Sequence, residues 1–177
     1  MFKKPTYVNK DESRIPPGQT VTDKFPVLTD GPAPNVEKSE WIFEVRYQNE
    51  LLRSYSWEEF NNLKQETITT DIHCVTRWSK LDTIWNGVYV EDLLNGLIDP
   101  KKHKFVMAFC FGGYTTNLPI EDLMDKKGSV VTKYDSKDLE KDHGGPARLL
   151  VPHLYLWKSA KWIKGLHLGE SDRPGYW

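Results

Sequence analysis

Asp71-Ile72-His73-Cys74-Val75-Thr76-Arg77-Trp78-Ser79 is the stretch on which the reading of this chain turns. The residues before it, from Glu66 to Val75, are rich in Thr and Ile and predict a strand. Cys74 therefore falls at a strand end, followed by a cation and an indole. A thiol placed there, beside basic groups, can be deprotonated and open to a ligand. That setting suits a thiolate on a soft metal. Zinc fits poorly, because a structural zinc site takes about four N/S ligands as spaced pairs. His73 and Cys74 are adjacent, so a strand sends them to opposite faces. A cysteine hydrolase using Cys74 with His143 or His153, or a buried structural thiol, stays open on these residues alone.

Working outward, residues 1–12 predict a flexible tail and residues 13–177 one domain. Arg14 to Leu28 carries Ile15, Phe25, Val27 and Leu28 among prolines, and is expected to lie extended over the folded body. Trp41 to Tyr47 alternates as a strand. Ser56 and Glu59 form a capping-box pattern at the start of a short helix. Trp85-Asn86-Gly87-Val88 predicts a turn, and Val90 to Leu97 a short helix. Lys104 to Phe111, then Gly112-Gly113, then Tyr114 to Asn117, predict a hairpin. Pro119 to Leu123 opens another short helix. Ser129 to Tyr134, Arg148 to Val151 and Trp162 to Leu168 read as strands. Short strands and short helices without βαβ alternation predict an α+β fold.

The 177 residues suffice for a hydrophobic core without staples. A formal charge of −1 gives no basic excess that would favour nucleic acid. Two cysteines, Cys74 and Cys110, are too few for a disulfide framework. No stretch reaches the roughly 20 apolar residues of a membrane span, and the first residues show neither a signal-peptide pattern nor twin arginines. A cytoplasmic protein with no membrane span is expected.

A second constellation lies further on. His143-Gly144-Gly145-Pro146-Ala147-Arg148 is followed by Lys158-Ser159-Ala160-Lys161. Two glycines let backbone approach a ligand closely. Arg148, Ser159 and Lys161 offer contacts to an anion such as a phosphate.

Taken together, His73 to Ser79, Trp85 to Val88 and Leu93-Leu94 resemble the molybdenum-ligand segment of the sulfite oxidase family. Gly113 to Pro119 resembles that family's middle hairpin. Gly144 to Pro152 is similar to its cofactor-binding loop and strand, and Trp157 to Ile163 to the segment that grips the pterin phosphate. The likeness runs collinearly over roughly residues 14–177 and is nearest to the small prokaryotic branch, related to the methionine sulfoxide reductase catalytic subunit. Several motifs in order are far more specific than one.

The resemblance implies the sulfite oxidase catalytic-domain fold, with mixed β-sheets and short helices. It implies a molybdenum-molybdopterin cofactor (Moco), with Cys74 as the metal's protein thiolate. His143, Arg148, Ser159, Ala160 and Lys161 then contact the cofactor, a strand residue near Phe109 or Cys110 faces it, and Arg77 and Trp78 lie at the metal's open side. The implied activity is oxygen-atom transfer to or from a small-molecule substrate, with electrons exchanged with an external carrier or redox subunit. The alternative is a molybdopterin-binding scaffold domain without turnover. The basic cluster that sulfite oxidases place around their substrate is not evident beside Cys74.

Overall fold

A computed structural model describes Val8 and residues 14–177. The expected tail therefore lies outside the described residues except at Val8, which is buried and donates its N–H to the His153 carbonyl at 3.2 Å.

Along the chain, β1 (Thr20–Val21) is followed by β2 (Ile42–Tyr47), β3 (Glu50–Ser56) and the short helix α1 (Trp57–Asn61). Then come β4 (Glu66–His73), β5 (Trp78–Tyr89), the helical turn α2 (Val90–Leu93), β6 (Phe105–Cys110) and β7 (Thr115–Pro119). The chain continues through β8 (Ser129–Tyr134), β9 (Lys137–Asp138), β10 (Arg148–Leu150) and β11 (Ile163–Gly169). Single 3-10 turns at Ile120–Asp122, Lys141–His143 and Leu156–Lys158 link some of these strands.

Two mixed sheets result. The five-stranded sheet has the order β3-β2-β11-β6-β7. The six-stranded sheet runs β1-β5-β8-β10, with β4 added on β5 and β9 on β8. Most neighbours are antiparallel, and β1–β5 and β11–β2 are the parallel pairs. This is the α+β architecture that the sequence predicts.

Period-two alternation explains where the core sits. In β8, Val130 faces a large cluster containing Trp41, Phe43, Phe60 and Leu166, while Val131 faces a smaller one with Ile72 and Trp85. Leu149 and Leu150 of β10 divide in the same way. Both strands are buried on both faces, so they read as continuous apolar runs rather than as alternating ones.

Two local expectations are met in detail. The Ser56 hydroxyl accepts from the Glu59 N–H, and the Glu59 carboxylate accepts from the Ser56 N–H, closing the capping box of α1. Gly112-Gly113 joins β6 to β7, both glycines having positive φ. One is corrected. Trp85 to Val88 is no turn but the second half of β5, paired with β4 and β8. Gly87 sits where the β5–β8 register shifts, and a Cβ there would meet the Val130 carbonyl oxygen at 2.1 Å. Its glycine serves close strand approach at a bulge, not chain reversal. The helix expected over Val90 to Leu97 is also shorter, ending at Leu93.

Candidate cofactor site

Strands β4 and β5 form a hairpin whose connection carries Cys74. His73 pairs with Ser79, Cys74 N–H donates to Trp78 O at 2.9 Å, and Arg77 N–H donates to Cys74 O at 3.0 Å. Arg77 takes a left-handed φ of 72° to close this reversal. The turn is held from outside as well. Gln19 Nε2 donates to Cys74 O at 3.1 Å, and Gln19 Oε1 accepts from Ser79 Oγ at 3.1 Å. Ser79 Oγ also lies 2.7 Å from His73 Nδ1. Strand β1 runs alongside, pairing Thr20 with Trp78 and Val21 with Ser79.

Cys74 is a free thiol, 6% exposed, and it faces a cavity of about 780 Å³. Thr76, Trp78, His143, Arg148, Ser159, Ala160 and Lys161 line the same cavity. The sequence-predicted residues of the two constellations, about 70 positions apart, thus share one space.

The far wall is cationic. Arg148 is fully buried and donates to His143 O at 2.9 Å and to Ser159 O at 2.7 Å. Among the described residues no carboxylate pairs with it. Burial in this uncompensated setting pulls its pKa down to about 10. Lys161 is likewise pulled down to about 8, by burial first and then by the Arg148 charge. The Lys161 ammonium donates to the carbonyls of Leu28 and Asp142 at 2.8 and 2.9 Å. Burial, followed by the Arg148 charge, holds His143 below its ordinary value.

Glycine makes this packing possible. Gly144 has a φ of 105°, and a Cβ there would lie 2.9–3.0 Å from carbons of Lys161 and Arg148. The next peptide, Gly145-Pro146, is cis.

A third wall comes from the N-terminal segment. Phe25 stacks on His143 with centroids 3.8 Å apart and packs edge-on against Trp78 and Trp85. Leu28 to Pro34 continue along the cavity. The stretch expected to lie extended over the body does so, and part of it lines the pocket.

Not every expected residue arrives here. Arg77 is exposed and is not among the lining residues. Its backbone serves the turn, which aims its side chain elsewhere. Cys110 is also absent from the lining, because alternation along β6 sends it into the core with Val106 and Ala108. Burial pushes its thiol up to about 12, which suits a structural residue and not a ligand. Phe109 is not a lining residue either; Phe111 to Tyr114, from the loop between β6 and β7, take that place. Lys158 turns away to Asn117, at 3.0 Å from Oδ1. His153 pairs with Asp122 outside the cavity, and among the described residues Cys74 has no hydrogen bond to a histidine, so a Cys–His hydrolase pair is not assembled.

Three contributors were not singled out from sequence. Thr76 donates its hydroxyl to Cys74 Sγ at 3.1 Å. Tyr114 donates to Trp157 O at 2.7 Å and places an aromatic wall. Phe25 was visible only as part of an extended segment.

An anionic prosthetic group bearing a soft ion fits these residues on three observations. The buried guanidinium of Arg148 has no carboxylate partner among the described residues. Among the described residues the buried Trp78 Nε1 has no acceptor, although its ring lines the cavity. The Cys74 thiol, which accepts the Thr76 hydroxyl, opens into the same cavity.

Thiol, cations and fold together define the class, a molybdopterin-dependent oxidoreductase. Residues 30–177 match the model of the oxidoreductase molybdopterin binding domain, and the chain belongs to that family. It is 34% identical to the uncharacterized oxidoreductase YuiH of Bacillus subtilis (strain 168), over 100% of this chain and 90% of that protein. It is 23% identical to a nitrate reductase (NADH) of Spinacia oleracea over 85% of this chain, and 26% identical to the mitochondrial sulfite oxidase of Drosophila melanogaster over 52% of it. The chain spans only 20% and 18% of those two longer proteins. The sulfane dehydrogenase SoxCD from Paracoccus pantotrophus has the same fold, with a TM-score of 0.68 at 19% identity, covering 78% of this chain and 40% of that one. No helix among the described residues is long and apolar enough to cross a membrane.

Proposed function

We propose that this chain is a mononuclear molybdenum oxidoreductase acting on a small substrate, with residues 13–177 as one cofactor-binding domain. The reading is carried by one observation: the Cys74 thiol and the Arg148 and Lys161 cations, which have no carboxylate partner among the described residues, open into a single cavity. When bound, Moco supplies two-electron oxygen-atom exchange, the chemistry common to sulfite- and sulfoxide-like substrates.

The protein's part is binding, orientation and electrostatics. Cys74 presents sulfur to the ion from a turn that five main-chain and side-chain hydrogen bonds hold around it. Arg148 and Lys161 neutralise the anionic end, the first as a fixed fork and the second as a mobile point charge. His143, steadied by Phe25, and Trp78 Nε1 offer hydrogen-bonding groups to a polar ring system. Gly144 lets the backbone come close. The aromatic walls of Phe25, Trp157 and Tyr114 exclude water. Electrons pass singly to or from an external carrier or redox subunit.

Elemental analysis with pterin fluorescence tests this on protein made in cells that synthesise the cofactor. About one molybdenum and one pterin per chain are expected. Cys74→Ala should lose the metal's thiolate signature while keeping part of the pterin. An unchanged metal spectrum in that variant would remove Cys74 as ligand.

A further inference from the structure

We propose that Thr76 is a positioning residue for the ligand sulfur, whose hydroxyl sets how much electron density Cys74 passes to a bound metal. The inference rests on the reading of Cys74 as the metal's thiolate. Thr76 Oγ1 donates to Cys74 Sγ at 3.1 Å, and both side chains line the cavity. A threonine hydroxyl has one proton, and here it is spent on sulfur.

The geometry is not left to a loose loop. Cys74 and Arg77 are bonded across the turn, Arg77 is fixed at positive φ, and Gln19 clamps the Cys74 carbonyl. The backbone of Val75 and Thr76 is thereby held between those anchors, and the Thr76 hydroxyl meets the Cys74 sulfur although Thr76 is otherwise exposed. Hydrogen bonds to a metal-bound sulfur withdraw charge from it and favour the reduced ion, so they raise the reduction potential. Thr76 therefore acts on the metal through Cys74.

Thr76→Val keeps the shape and removes the donor, while Thr76→Ser keeps the donor and removes a methyl. The readout is the metal's midpoint potential, followed by its paramagnetic signal in a redox titration, on protein whose molybdenum and pterin contents are measured first. Thr76→Val should shift the one-electron reduction equilibrium about three- to tenfold towards the oxidised ion, which is about 30–59 mV lower. Thr76→Ser should stay near the parent value. A Thr76→Val potential equal to the parent's, or a Thr76→Ser potential as low as that of Thr76→Val, overturns the proposal. Should Thr76→Val not load, Thr76→Ala replaces it with the same expectation. If neither loads while Thr76→Ser does, the hydroxyl serves retention and the proposal again fails. Parent protein without molybdenum would instead sink the cofactor reading itself.

Discussion

At the scale of single residues, the cavity is defined by cations that meet carbonyls but, among the described residues, no carboxylate. Arg148 is held by carbonyls only, and Lys161 keeps an ammonium whose affinity for its proton has fallen to about 8. Below that pH Lys161 is charged and attracts an anion; above it the attraction is lost. Cofactor capture by the empty protein should therefore weaken as pH rises through about 8, and Lys161→Met should bind weakly without that step. Lys161→Glu should lose cofactor at least about tenfold faster, since a charge reversal at an anion site is worth more than about 1.4 kcal/mol. Pterin release followed by fluorescence at several pH values reads both. Sequence marks Arg148, Ser159 and Lys161 as candidate anion ligands because side-chain chemistry is local, and all three line the cavity. It did not show that Lys158, three residues before Lys161, turns to Asn117 instead. It also did not exclude Cys110, since which face of a strand meets the cavity is a tertiary fact.

Among the elements, the hairpins and buried strands were the legible part. Gly112-Gly113 between apolar runs, and the Ser56–Glu59 cap, encode their conformations in a few adjacent residues. Strand β3 was not singled out, because its mostly exposed residues lack a clear apolar alternation. Asn86-Gly87 misled for a different reason. Asn-Gly is a strong turn signal, and only the pairing of β5 with both β4 and β8 shows it as a bulge in a continuous strand. Gly87→Ala tests that reading. The added methyl would meet the Val130 backbone, and a backbone cannot rotate aside as a side chain can. Destabilisation of about 1–3 kcal/mol is expected, read by urea unfolding. A turn glycine at a solvent-exposed reversal would lose less.

For the molecule as a whole, the cavity is assembled from distant parts of the chain. Phe25 to Pro34, the β4–β5 turn, the β6–β7 loop, the segment 156–162 and Tyr176-Trp177 all line it. The extended segment bridges its two sides, tied by the Lys161–Leu28 bond and the Phe25–His143 stack. An anion that draws the Lys161 ammonium towards itself still leaves the ring stack in place and fills the space beneath the segment. Cleavage by a broad-specificity protease within residues 26–34 should thus be slower in cofactor-loaded than in empty protein, as mass action requires of a ligand that binds the docked segment and not a locally unfolded one. Equal cleavage rates would place that segment outside the binding equilibrium. The same assembly fixes an order of events in the cell. A ribosome that has delivered the chain as far as Tyr134 has made the sulfur but neither Lys161 nor Tyr176-Trp177, which line the same hollow. The sulfur side of the hollow is thus synthesised before its cationic side, and the two meet only after residues beyond Lys161 have folded back onto the β4–β5 turn.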